Sequence, residues 1–412
     1  MSGAGGMGAA VAGNGVASAP VDFDFAAVLA TIAHRQASDL HLTAGAHPMI
    51  REKGRVRPME DFPKLTAQQT REVVYGILSE DQRKRFESSR QLDFAYAIPN
   101  VARFRVNCYL QRGSVAAAFR LVPQGIPALD DLGVPPVLRE FTRKPRGFVL
   151  VTGPTGSGKS TTLAAMIDVI NREREDHILT IEDPIEFLHQ HKRSIVNQRE
   201  IGSDADTFSL GLRAALRQDP DVILVGEMRD METVSTALTA AETGHLVFAT
   251  LHTQSTAQTV DRIIDVFPPE QQAQVRTQLS VALQGVVTQQ LLPTADGQGR
   301  VVACEVLVPN PAVRNLIRES KTHQIYSAIQ TAGSIGMQTM DADLVRLVRA
   351  GKITPELAEQ RASVPEELRR LMGGAYAGNG AVAGNGGGYS DGNGHTQPVA
   401  AQPIGAPPGM GR

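Results

Sequence analysis

The segment "GPTGSGKST" (residues 153–161) is the strongest indication of the fold, because its glycines and lysine lie between an apolar run and a helical pattern. The run "FVLVT" (148–152) precedes it and "TLAAMIDVI" (162–170) follows it. The spacing Gly-x4-Gly-Lys-Ser is that of a Walker A loop, whose glycines let backbone N–H groups turn toward phosphates without a β-carbon in the way. A helix that begins there offers its positive N-terminal end to the same phosphates. The flanking strand and helix favour this interpretation over a chance glycine-rich turn.

The loop predicts a site for ATP and Mg²⁺. Lys159 is expected to bridge the β- and γ-phosphates, and the Ser160 hydroxyl is expected to bind Mg²⁺. The candidate nucleotide-binding residues of the loop are Gly153, Pro154, Thr155, Gly156, Ser157, Gly158, Lys159, Ser160 and Thr161.

Short apolar runs alternate with helical patterns from about residue 145 onward. The runs that we predict to be strands are FVLVT (148–152), HILTIE (177–182), DVILVGE (221–227) and HLVFAT (245–250). Strands and helices in alternation predict an α/β fold with a doubly wound, mainly parallel sheet and helices on both faces. After VVACEVLVP (301–309) the pattern is helical to about residue 372.

The chain before this core has the pattern of a smaller α+β unit. An amphipathic helix is predicted over 25–36, and a hairpin over 47–59 that turns at Lys53–Gly54. Further strands are predicted over 92–98, 102–111 and 115–123. Both ends of the chain are rich in Gly, Ala, Asn and Pro and are expected to be disordered. The predicted division is 1–20 disordered, 21–125 N-terminal domain, 126–144 linker, 145–308 ATPase core, 309–372 helical region and 373–412 disordered tail.

Composition narrows the function. The 412 residues carry a formal net charge of −2, so no strongly basic balance indicates a nucleic-acid partner. The two cysteines, Cys108 and Cys304, are far apart, which excludes a disulfide framework and a four-cysteine zinc site. No apolar stretch approaches the roughly 18 residues of a membrane-spanning helix. We therefore expect a cytoplasmic protein whose membrane role, if any, is peripheral.

Acidic residues follow two of the predicted strands. Glu227 follows the buried run DVILVG, where it is placed to polarise an attacking water beside a γ-phosphate. TIEDPIEF (180–187) supplies Glu182, Asp183 and Glu186, which suit positioning of water or contacts around Mg²⁺. Spacing alone leaves both Glu182 and Glu227 as candidates for the general base.

Two histidines and three arginines complete the candidate site. His245 and His252 lie at the two ends of one predicted strand, and His252 is a candidate sensor of the γ-phosphate. Arg103 and Arg105 fall on one face of the strand ARFRVNCYLQ. These two, with Arg120 as a third candidate, are placed to reach a phosphate that is bound to the core. If the protein forms a ring, that phosphate would belong to a neighbouring subunit, and the arginine would act as an arginine finger.

Four segments taken together resemble the motifs of a known family. GPTGSGKST, TIEDPIEF, ILVGEMRD (223–230) and TGHLVFATLHT (243–253) are similar to the Walker A, Asp box, Walker B and His box of the secretion-superfamily ATPases. Within that superfamily, about residues 21 to 372 resemble the PilT-type pilus retraction ATPases. Three segments carry this resemblance: ASDLHLTAGAHPMIR (37–51), AVRNLIRE (312–319) and GMQTMDADLVRLVRAGKIT (336–354). The second differs by one residue from the family's AIRNLIRE.

The resemblance implies a RecA-like core behind a PAS-like N-terminal domain, assembled as a cytoplasmic homohexamer. The ring would dock on an inner-membrane platform protein of the PilC type, and ATP-driven closure between the two domains would turn that platform and depolymerise the pilus. The resemblance assigns the general base to Glu227 and the Asp and His boxes to the ATP site. It places Arg103, Arg105 and Arg120 at the subunit interface.

Three alternatives remain at this point. The same fold serves pilus assembly and type II secretion. A RecA-like ring also serves nucleic-acid translocases, although neutral charge and few aromatic residues (5%) disfavour a stacking surface for bases. A ring that binds nucleotide without hydrolysing it is disfavoured by the presence of Lys159, Ser160 and Glu227.

Overall fold

A computed structural model describes residues 23–35, 37–52, 54–98, 102–122 and 125–373. The predicted disordered segments lie outside these ranges, except for Gly373. The division into domains stays a prediction. No helix within the described ranges is both long enough and apolar enough to cross a bilayer.

The first half of the fold is a six-stranded antiparallel sheet in the order β3-β2-β1-β6-β5-β4. Along β5, Phe104 and Val106 are buried while Arg103 and Arg105 point to the other face, as the alternation predicts. The hairpin of β2 and β3 turns at Gly54, whose φ of +80° favours glycine. Its strands are β1 (Asp39–Leu42), β2 (Met49–Glu52), β3 (Arg55–Pro58), β4 (Gln91–Ile98), β5 (Ala102–Gln111) and β6 (Ser114–Val122), with helices α1 (Phe25–Arg35), α2 (Ala67–Ile77) and α3 (Glu80–Ser89).

A seven-stranded sheet in the order β13-β12-β7-β11-β10-β8-β9 forms the second half. All neighbours pair in parallel except β12 and β13, which confirms the predicted mainly parallel α/β fold. The sequence did not identify β9 or β12 as strands. The strands are β7 (Gly147–Thr152), β8 (His177–Glu182), β9 (Ile195–Glu200), β10 (Val222–Val225), β11 (Leu246–Leu251), β12 (Leu283–Pro293) and β13 (Arg300–Leu307).

Helices cover both faces of this sheet, since its central strands are buried on both sides. One apolar core includes Phe148 and Ile223, and the other includes Val149 and Phe248. The helices are α4 (Val137–Thr142), α5 (Lys159–Glu173), α6 (Phe208–Ala215), α7 (Met231–Glu242), α8 (Thr256–Asp265) and α9 (Pro269–Ala282).

The chain after β13 is helical, as predicted from the sequence. Its core packs Leu344 and Leu368 against Leu292 of β12. The Tyr326 hydroxyl donates to Asp341, whose carboxylate also accepts from the backbone of Ser363, so this region is tied internally. Its helices are α10 (Pro311–Arg318), α11 (Ile325–Thr331), α12 (Met340–Arg349), α13 (Pro355–Arg361) and α14 (Pro365–Met372).

A substitution of Gly285 tests the packing between α4 and the sheet. A β-carbon there would overlap the ring of buried Phe141, so Gly285→Ala is expected to destabilise the protein by about 1–3 kcal/mol. Gly76→Ala is the matched control, because Gly76 lies in α2 with nothing near its missing β-carbon and alanine favours helix by up to about 1 kcal/mol. Thermal unfolding should show a lower Tm for Gly285→Ala only. An unchanged Tm would contradict this packing.

Candidate functional site

The Walker A loop connects β7 to α5 at the carboxyl edge of the parallel sheet. Gly153, Gly156 and Gly158 have φ values of +135°, +80° and +92°, a region that glycine alone enters without strain. A β-carbon on Gly153 would also overlap the carbonyl oxygen of Gln289 on β12. The loop therefore favours glycine for conformation at all three positions and requires it for space at Gly153.

Two observations within the loop fit a phosphate ligand. The Ser157 hydroxyl is buried and has no hydrogen-bond partner among the described residues. The Lys159 ammonium donates to the carbonyls of Gly153 (2.8 Å) and Pro154 (3.1 Å), so it lies folded over the loop. Burial lowers the pKa of Lys159, and the charge of Glu227 opposes that shift. A half-buried ammonium and a buried, unpaired hydroxyl are groups that phosphate oxygens satisfy.

Glu227 lies beyond the carboxyl end of β10, beside the loop that follows β11. His252 Nε2 lies 3.0 Å from one of its carboxylate oxygens, and Arg229 Nη2 lies 2.6 Å from the other. Burial raises the pKa of Glu227, but the hydrogen bond from Arg229 and the charges of His252 and Arg229 outweigh it, so the net shift is downward. Glu227 is thus held as a carboxylate.

Glu182 ends β8, next in the sheet to β10. The Thr180 hydroxyl (2.7 Å) and the Gln198 amide (3.2 Å) donate to one of its oxygens. The backbone N–H of Glu186 approaches the other oxygen at 3.4 Å. Burial raises the pKa of Glu182. With both oxygens engaged, this carboxylate holds the loop 183–187, in which Asp183 is exposed.

The arginines of β5 reach this same loop from the first sheet. Arg103 forms an ion pair of 2.6 Å with Glu200, and both side chains are largely buried. Glu200 also accepts from the backbone N–H of Ile185 (3.1 Å). Arg105 lies 3.4 Å from Glu186. The structure therefore brings both arginines to the Asp-box loop, where carboxylates of the same chain bind them.

Two predicted site residues, Arg120 and His245, lie away from the Walker A and Asp-box loops of the same chain. Arg120 pairs with Asp39 (2.8 Å), and both lie in the first sheet. His245 precedes β11, so it lies at the amino edge of the sheet, where its Nδ1 contacts the carbonyl of Ala240 (3.0 Å). The Walker A loop follows the parallel neighbour β7 at the opposite edge, about 20 Å away for a six-residue strand. His245 therefore does not reach the Walker A loop of its own chain, and its role at a nucleotide stays a prediction.

Sequence reasoning missed Arg229 and Glu200. Arg229 stands two residues after Glu227, and on an extended segment that spacing puts two side chains on one side, which was an available signal. Nothing local indicated that Glu200 pairs with Arg103, because the two lie 97 residues apart in different sheets.

The fold and the site define a P-loop ATPase with a RecA-like α/β core. The model of the family "Type II/IV secretion system protein" matches residues 133–359. The chain belongs to this family, and within it to the PilT-type ATPases.

Two curated relatives and one solved structure are similar over most of the chain. The type IV pilus retraction ATPase PilT of Pseudomonas aeruginosa is 54% identical, covering 83% of this chain and 99% of that protein. A twitching motility protein of Neisseria gonorrhoeae is 53% identical, covering 78% of this chain and 86% of its own length. A crystal structure of the pilus retraction motor PilT with bound ADP superposes with a TM-score of 0.79 at 52% identity, covering 83% of this chain and 99% of that one.

Glu227→Gln is expected to separate catalysis from binding. The hypothesis that Glu227 is the general base predicts that this substitution lowers kcat for ATP by about 100-fold or more. ATP binding, measured by fluorescence titration, should not weaken, because a neutral amide repels phosphates less than a carboxylate does. Glu182→Gln is the comparison: intact turnover in Glu227→Gln with lost turnover in Glu182→Gln would transfer the role of base to Glu182.

Arg229→Gln is expected to move the acid limb of the pH profile of kcat/KM to higher pH. The substitution removes the hydrogen bond and the charge that lower the pKa of Glu227 and leaves the burial that raises it. The base then becomes protonated at a higher pH than in the wild type. An acid limb that stays in place, or moves to lower pH, would show that Glu227 does not control it.

Proposed function

We propose that this chain hydrolyses ATP to drive retraction of type IV pili. The observation that carries the proposal is the 54% identity to a pilus retraction ATPase over 99% of that protein's length. The groups that ATP hydrolysis needs also meet at one edge of the sheet: a phosphate loop, a lysine, and a carboxylate paired with a histidine. Over this extent of identity, pilus assembly and type II secretion are not favoured.

In the proposed chemistry, the triphosphate replaces protein acceptors around Lys159. The ammonium exchanges the carbonyls of Gly153 and Pro154 for the β- and γ-phosphates, and Ser157 gains a partner for its buried hydroxyl. Within the described ranges no cluster of three or more His, Cys, Asp or Glu side chains suits a metal. Ser160 would therefore hold Mg²⁺ together with the phosphates and water, as this ion prefers, and the ion would offset phosphate charge.

Glu227 is the proposed general base. Its lowered pKa keeps it ionised, and its exposed fraction of 20% leaves it open to water. Glu182 has the raised pKa of a better proton acceptor, but the carboxylate whose charge acts on Lys159 of the phosphate loop is Glu227. His252, at 3.0 Å from Glu227, is placed to sense the γ-phosphate and to orient this carboxylate.

Force generation is proposed to use the arginines of the first sheet. Arg103 and Arg105 contact the Asp-box loop through Glu200 and Glu186, so any movement between the two sheets is transmitted to that loop. A bound phosphate would compete with Glu186 for Arg105, whose ion pair is half-exposed and therefore weak. The exchange of Arg105 from Glu186 to a phosphate is the proposed trigger for movement between the two sheets.

We further propose that the working form is a homohexamer at the cytoplasmic face of the inner membrane. It would bind a PilC-like platform protein, and a phosphate in one subunit would receive an arginine from the next. Arg120 is more exposed than Arg103, with 68% of its side chain accessible, and so is better suited to such a contact between subunits.

Deletion of the gene in its native host tests the retraction role. Live imaging should show surface pili that accumulate and do not shorten, because extension continues without its opposing motor. A wild-type copy should restore retraction and Lys159→Ala should not, since the loop then lacks its phosphate-binding lysine. Loss of surface pili would indicate an assembly motor, and unchanged retraction would overturn the proposal.

A further inference from the structure

Four threonine hydroxyls form a connected chain through the interior of the core. Thr288 of β12 lies 2.8 Å from Thr152, the last residue of β7. Thr259 of α8 lies 3.4 Å from Thr152 and 2.7 Å from Thr253, which directly follows His252. Thr152, Thr259 and Thr288 have no solvent exposure. The chain of hydroxyls therefore runs from the residue before the Walker A loop to the residue after His252.

Thr259 is the branch point of this chain. Its one proton is shared between the carbonyl of Ser255 (2.8 Å), the residue that caps α8, and the more distant Thr152 hydroxyl (3.4 Å), so its oxygen accepts from the Thr253 hydroxyl (2.7 Å). A hydroxyl carries a single proton, so the bonds at Thr259 fix which way its neighbours donate. Valine has nearly the same shape but would remove every one of these bonds.

The segment that contains His252 is fixed from its other side as well. The Thr250 hydroxyl donates to the carbonyl of Gly226, and the backbone N–H of Met228 donates to the carbonyl of Thr250 (3.3 Å). These bonds hold Glu227, which lies between Gly226 and Met228, against the end of β11. The placement of His252 relative to Glu227 thus depends on β10. The β7–β11 ladder, which pairs Leu251 with Thr152, brings His252 next to the Walker A loop, and Thr259 adds a side-chain connection between the two loops.

A buried network of this kind has a cost. A buried hydroxyl that loses its water and finds no partner destabilises the fold, and apolar residues of the same shape would fill the space without that penalty. Networks that are satisfied select one arrangement among several of similar packing energy. Here the network selects one position of the His252 loop relative to the Walker A loop.

We propose that Thr259 is a positioning residue for ATP hydrolysis, which sets His252 and Glu227 in register with the phosphates held by the Walker A loop. The inference rests on the proposed ATPase activity. Thr259 touches no nucleotide; it acts through Thr253 and Thr152. Loss of its hydroxyl should therefore impair turnover, which depends on sub-ångström placement of the reacting groups, more than ground-state binding of ATP.

Thr259→Val, Thr259→Ser and the control Thr70→Val test the proposal in the full-length protein. Thr70 is equally buried in α2, and its hydroxyl bonds carbonyls of the preceding turn at 3.1 and 3.3 Å without belonging to the chain of hydroxyls. Thr259→Val should lower kcat by about tenfold or more with KM within about twofold of wild type. Thr259→Ser should recover kcat to within about twofold, and Thr70→Val should leave it unchanged. Hydrogen–deuterium exchange of residues 246–258 should be faster in Thr259→Val only.

Two results would overturn the proposal. One is a kcat for Thr259→Val within twofold of wild type, and the other is a serine variant that folds as well as wild type but is as slow as the valine variant. If Thr259→Val does not fold, the serine variant and its exchange pattern decide. A wild-type protein without ATPase activity would refute the proposed function. An active wild-type protein whose activity is unchanged in Thr259→Val would refute only the role of Thr259.

Discussion

The parallel pairing of β7, β11, β10 and β8 is the constraint on which the site depends. Parallel strands in register end at the same edge, so the four loops that follow them meet there. The Walker A loop, the His252 loop, Glu227 and the Asp-box loop each follow one of these strands. The gathering of these groups is therefore a consequence of strand direction, and residues before a strand, such as His245, lie at the opposite edge of the sheet.

Within this edge, each cationic group is bound by an acceptor of the same chain. Lys159 donates to two carbonyls, Arg103 to Glu200, and Arg229 to Glu227. Ligand binding at such a site is an exchange of partners, and its net free energy is the difference between phosphate and protein acceptors. The contacts of Arg103 and Arg105 with the Asp-box loop therefore connect the proposed nucleotide site to the first sheet. The buried pair Arg103–Glu200 resists separation more than the half-exposed pair Arg105–Glu186 does.

Local signals predicted much of the fold and the centre of the site. The Walker A spacing with its flanking strand and helix located β7 and α5, and alternation along β5 placed Arg103 and Arg105 on one face. The order of the strands and the contacts between residues far apart in the chain could not be predicted from the sequence. The pairing of β12 with β7 and the ion pair of Glu200 with Arg103 form only through tertiary packing. The threonine chain was equally hidden, since Thr152, Thr259 and Thr288 share no local pattern. For His245 the signal was present: a residue that precedes a parallel strand lies at the edge opposite the phosphate loop.

The most direct test of the account is a crystal structure of the protein with Mg²⁺ and a non-hydrolysable ATP analogue. The triphosphate is expected to lie along residues 153–161, with the Lys159 ammonium moved from the carbonyls of Gly153 and Pro154 to the phosphates, and with Glu227 and His252 facing the γ-phosphate. A triphosphate bound away from that loop, or one that leaves Lys159 on its own carbonyls, would contradict it.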